Sequence, residues 1–165
     1  MILGQFLVKE LQDLYESESE QAHLLLKMAQ SVTSPALREA LRDHAAQTQH
    51  HAHRIFQVLE LLGESHGGRG EVPAGVQGII TEADRKLRMQ TDATMRDYVL
   101  ISMLQKLEHY EIACYGAARA IAHTLGHDGA AALLQDTLLE EKQIDKQLTH
   151  IALTLLKQVG TLEVR

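Results

Sequence analysis

Apolar residues recur at steps of three and four along four long stretches of the chain, the spacing that gathers side chains onto one face of an α-helix. The first stripe, Leu7, Leu11, Leu14, Glu18, Ala22, Leu25 and Ala29, predicts a helix over about 5–30. The second, Leu37, Leu41, His44, Thr48, His51, Ile55, Val58 and Leu62, predicts a helix that Ser34 and Pro35 open and Gly63 stops. Ser accepts a bond from a free amide of the first turn, and Pro is tolerated at the first helical position. The third stripe is Ile101, Leu104, Glu108, Glu111, Tyr115, Ala118, Ala122 and Leu125, on a helix over about 94–125 that ends at Gly126. The last, Leu134, Leu138, Glu141, Asp145, Leu148, Ala152 and Leu155, lies on a helix over about 128–157. Between the second and third, the composition changes at SHGGRGEVPAG to a loop over 64–75, after which Val76, Ile79, Ile80, Ala83, Leu87 and Met89 predict a short amphipathic helix ending near 90. That segment is too long for a tight turn and reads as a crossover. The pattern therefore predicts an all-α four-helix bundle, one domain over 1–165, with a short additional helix in the crossover.

All four stripes are polar in the middle. Glu18 interrupts the first, His51 and its neighbours the second, Glu108 and Glu111 the third, Glu141 and Asp145 the fourth. A carboxylate on a core face costs several kcal/mol unless it is neutralised, hydrogen-bonded or bound to a cation. A weak internal duplication links the two halves: Glu18 to His51 is 33 positions, and Glu111 to Asp145 is 34. Folding each half as a hairpin would make Glu18, Glu108, Glu111, Glu141 and Asp145 converge with His51. Such a group could survive by sharing protons, as close carboxylates do. Two metal ions would remove the penalty more fully, and oxygen ligands with an imidazole suit iron or manganese better than soft-ligand metals. Bundles of this kind take a Glu from each of two helices and Glu-x-x-His from the other two; here Gln47 stands where a Glu could precede His51. Taken alone, His51 also fits a hydrogen-bonded core histidine. Glu16, Glu20, His50, His53, Glu82, Glu140, Lys142, Lys146, His123 and His127 fall on other faces and read as surface.

Composition narrows the partners. The 165 residues are 45% hydrophobic and 23% charged, with 4% aromatics and two prolines, a balance that favours helix. A net charge of -6 with scattered Lys and Arg argues against nucleic acid or an anionic membrane as the main partner. The single Cys114 has no internal disulfide partner and reads as a small core residue. The first residues lack the basic start and apolar core of a signal peptide, so a cytoplasmic protein is expected.

The stretches DLYESE, HAAQTQHHAHRI, LEHYEIACYGAARA and LLQDTLLEEKQIDKQL resemble the YciE/YciF group of ferritin-like proteins, the DUF892 family, over most of the chain from Phe6 to Ala152. The resemblance implies a ferritin-like bundle, a homodimer, an association with bacterial stress responses, and a dinuclear metal site. Carried over residue by residue, that site falls on Glu18, His51, Glu108, Glu111, Glu141 and Asp145. Glu-x-x-Glu on the third long helix is also similar to rubrerythrins. Gln47 departs from the family pattern, in which the position resembles a Glu ligand. The function expected is that of a non-haem di-iron or di-manganese protein reacting with peroxide or oxygen. The alternative is a structural or interaction dimer that keeps a metal pocket for stability.

Overall fold

The helix ends follow the local signals. Ser34 Oγ accepts the Leu37 N–H at 3.3 Å with Pro35 in the first turn. Gly63 and Gly126 take φ of 75° and 81° beyond the second and third long helices, a left-handed backbone that glycine enters without a Cβ clash. The computed structural model describes residues 2–64 and 70–163. Its helices are α1 (Leu3–Ser31), α2 (Pro35–Leu61), α3 (Ala74–Met89), α4 (Ala93–Thr124) and α5 (Asp128–Glu163). Among the described residues there is no strand, and no helix is long and apolar enough to cross a membrane.

The cross-links fix the topology. Ser17 meets Glu111 and Gln21 meets Glu108, so α1 and α4 run antiparallel. His51 meets Glu140 and Arg54 meets Thr137, which makes α2 and α5 antiparallel as well. Short turns make hairpins of α1–α2 and of α4–α5, leaving α2 and α4 parallel. The chain must therefore travel back along the bundle between them, and α3 does so along α4, with Glu82 Oε1 3.0 Å from Lys106 Nζ and the Leu87 carbonyl bonded by Arg96. Half-buried Glu82 also pairs with Lys86 at 2.5 Å, away from the polar middles of the stripes. Of the loop expected over 64–75, residues 65–69 lie outside the described residues. Residues 70 and 71 lie against α1, where the Glu71 N–H donates to Asp13 Oδ1 at 2.8 Å and a Cβ at Gly70 would run into the Gln12 carbonyl.

Most apolar residues of the stripes are buried and form two cores, while Leu125 at the end of the third stripe is exposed. Leu25, Leu37, Leu41, Ile101, Leu104 and Leu148 belong to one, with α3 contributing Val76 and Ala83. Leu7, Leu11, Ile55, Tyr115, Ala118 and Leu134 belong to the other. The mid-stripe polar residues lie between them. At one end of the bundle, buried Asp97 ties α4 to the α1–α2 turn: Oδ2 accepts the N–H groups of Thr33 and Ser34 at 3.0 and 2.8 Å and the Thr33 hydroxyl at 2.8 Å. Asp97→Ala strands these donors, so it should cost about 2–3 kcal/mol, read as a lower midpoint in urea unfolding; an unchanged midpoint would show that the turn is held by other contacts.

Candidate metal centre

The polar layer draws on all four long helices: Ser17, Glu18 and Gln21 from α1; His44, Thr48 and His51 from α2; Glu108 and Glu111 from α4; and Glu141 from α5. The four carboxylates and both imidazoles are buried, none more than 5% exposed. Helical period puts each of them on its stripe, and the apolar neighbours of that stripe carry it inward.

Two groups of donor atoms converge there, Glu18 with His51 and Glu141, and His44 with Glu108 and Glu141. Glu141 belongs to both. His51 Nδ1 lies 2.6 Å from Glu141 Oε1 and 3.8 Å from Glu18 Oε1, while His44 Nε2 lies 3.3 Å from Glu108 Oε1. Close as they are, His51 Nδ1, both His44 nitrogens and both Glu141 oxygens have no partner in hydrogen-bond geometry, nor have Glu18 Oε2, Glu108 Oε2 and Glu111 Oε2. Three other oxygens are held by neighbouring side chains. Tyr115 donates to Glu18 Oε1 at 2.5 Å, Ser17 to Glu111 Oε1 at 3.3 Å, and Gln21 to Glu108 Oε1 at 3.4 Å.

Charge makes the orphaned atoms costly. Burial first, and then the charge of neighbouring carboxylates, pushes Glu18, Glu108 and Glu111 well above the ordinary carboxylate range. Burial works the same way on Glu141, but the His51 ring beside it, together with Glu108 and His44, outweighs burial and holds its carboxyl below that range. Burial lowers His44 to about 4, keeping it neutral and ready to donate an electron pair. On its far side the His51 ring meets Glu140, whose Oε2 is 2.8 Å from Nε2. Arg54 bonds both Glu140 oxygens at 2.8 and 3.2 Å and keeps that carboxyl below its ordinary value, so Glu140 accepts and Nε2 carries the proton. Nδ1 is then left facing carboxylate oxygens, an arrangement that needs a proton or a cation between them. A carboxylate on the far nitrogen of a histidine is also how metal-ligating rings are commonly held. Orphaned oxygens, bare nitrogens and mutual repulsion are the donor set a hard-to-borderline cation satisfies.

Of the six residues expected at the site, Glu18, His51, Glu108 and Glu141 belong to the converging groups, and Glu111 adjoins them through Ser17 and its charge. Asp145 lies elsewhere: half-buried on the α4–α5 seam, it accepts from Gln105 at 3.4 Å and is 3.5 Å from His109. Ile144 takes the inward position instead. Gln47 is half-buried on the wall of a surface cavity rather than in the layer. His44 occupies the inward place on α2, and Glu140, read from the sequence as surface, reaches around to His51.

Fold and site together define an all-α ferritin-like bundle whose centre is a buried carboxylate–imidazole layer able to hold a metal. The chain belongs to the DUF892 family, a domain of unknown function, whose model matches residues 3–159. It is 36% identical to protein YciF of Escherichia coli over 143 residues, covering 87% of this chain and 86% of that protein. The crystal structure of the E. coli stress protein YciF superposes with a TM-score of 0.84 at 34% identity, over 94% of this chain and 98% of that one. YcfI from Rhodopseudomonas palustris, described provisionally as structural, superposes with a TM-score of 0.85 at 33% identity, over 90% and 94%.

Proposed function

We propose that this chain is a dinuclear metal protein, taking iron or alternatively manganese, that reacts with peroxide or dioxygen. The observation that carries the reading is Glu141, shared by two converging donor groups and without a hydrogen-bond partner at either oxygen. Glu18 and His51 would complete one position and His44 and Glu108 the other, with Glu111 beside them. When bound, the metal pair would supply the electrons that reduce the oxidant. The chain itself supplies the setting: Tyr115, Ser17 and Gln21 fix the carboxylates, Glu140 with Arg54 fixes His51, and the two apolar cores exclude water. The homodimer implied by the family resemblance extends to this chain on the same reading; sedimentation velocity would contradict it by finding a monomer.

Peroxide consumption tests the chemistry. Protein loaded with ferrous or manganous ion should consume peroxide faster than the same metal free in solution, and Glu111→Ala should lower that rate by about tenfold or more. The second reading, a structural or interaction module, is favoured by the enclosure of the layer, whose residues are almost without exposed surface. It takes over if loaded protein and free metal consume peroxide equally.

A further inference from the structure

On the α2–α5 side one carboxylate stands between His51 and open solvent. An open cavity of about 500 Å³ lies on the outer face of α2, walled by Asp43, Ala46, Gln47, His50 and Arg54 and, from α5, by Glu140. Glu140 is the shared wall. Its side chain is 36% exposed, yet it touches the Nε2 edge of His51, which has no exposed surface at all. Arg54 holds Glu140 there with a two-pronged grip on its carboxylate and is itself anchored to Thr137 Oγ1 at 2.7 Å. Both members of the pair are long side chains, so the wall can turn without a movement of the backbone.

We propose that this cavity is the entrance through which a divalent transition-metal cation reaches the buried layer, with the Arg54–Glu140 pair as its gate. The inference rests on the metal-binding reading above. The cavity offers carboxylate oxygens from Asp43 and Glu140 and an imidazole from His50, ligand types that a first-row cation accepts as it gives up water. Among the described residues, groups of three converging donors occur in the buried layer and not in the cavity, so the cavity passes a cation on rather than retaining it. Turning Glu140 away uncovers the ring that bounds the donor group of Glu18 and Glu141. The α4–α5 seam is the competing route, but its half-buried acid, Asp145, is bonded to Gln105 and faces His109.

The rate of metal uptake separates these routes. Metal-free protein is mixed anaerobically with Co²⁺ alone, the cobalt absorption followed with time and the bound metal measured at the end. Ala46→Trp, made at an exposed position of α2, fills the cavity and should slow uptake by about tenfold while the final metal content stays at the wild-type value. Arg54→Gln releases Glu140 and should speed uptake severalfold. Asp145→Asn should leave the rate unchanged. Wild-type rates in both Ala46→Trp and Arg54→Gln overturn the entrance, and slowing by Asp145→Asn alone moves it to the other seam. Wild-type protein that holds no cobalt at the end overturns the metal-binding reading, and the entrance with it.

Discussion

Metal-loaded protein should melt well above the chelator-treated protein at about pH 7.5, and the gap should shrink at about pH 5.5, because protons compete for the ligands. A ligand that binds only the folded state at a hundredfold excess over its dissociation constant adds about 2.7 kcal/mol. The metal-free protein should respond in the opposite sense. Glu18, Glu108 and Glu111 have folded pKa values raised above the ordinary 4.5. Their contribution is fully present below that value and is lost as pH rises through the raised ones, so acidification from pH 7.5 stabilises. His44 opposes this. Its pKa falls from 6.5 to about 4, so its contribution is present above 6.5 and is lost as pH falls towards 4. The raised carboxylates gain stability over the same fall in pH in which His44 loses it. With three carboxylates raised and one imidazole lowered, the net effect expected of mild acidification is stabilisation. Glu141, held low by His51, contributes above 4.5 and weakens only under stronger acid. Melting curves with and without chelator at both pH values check the account, which fails if the two forms melt together at each.

Glu141→Ala should remove metal binding at both positions, since this side chain is common to the two donor groups. Loss of partners in the outer shell of a metal site costs roughly ten- to a hundredfold in affinity, so loss of a shared ligand should exceed about a hundredfold. Asp145→Asn should leave affinity near that of wild type, because Asp145 bonds Gln105 outside the layer. Anaerobic titration with manganous ion reads both variants. Equal weakening by the two would return Asp145 to the site and show that the seam on α5 is read one residue out of place.

How much of this was legible depends on what periodicity measures. A stripe reports the direction of a Cα–Cβ bond, so Glu18, Glu108, Glu111 and Glu141 stood out as acids among apolar neighbours, and all four are buried. It does not report how far a side chain reaches. Glu140 leaves α5 on an outward face, yet its length brings it around to His51, and Arg54 closes the contact. Nor does it resolve a seam that drifts: Ile144 and Asp145 are both compatible with Glu141 and Leu148, and burying the apolar residue costs less, so Asp145 turns to the flank. His44 was visible in the stripe but carried no signal beyond that of a core histidine; only its approach to Glu108 and Glu141 distinguishes it. Tyr115 likewise read as core, and its hydroxyl on Glu18 became apparent when α1 and α4 were brought together. The crossover was legible from length alone, because parallel α2 and α4 require a return along the bundle.

The central claim is that a metal organises the polar layer, and metal analysis of protein purified without a metal-affinity tag tests it most directly. About two transition-metal ions per chain, iron or manganese, are expected, in keeping with the two donor groups that share Glu141. Protein that is metal-free, keeps its full stability and takes up neither ferrous nor manganous ion on addition would contradict it.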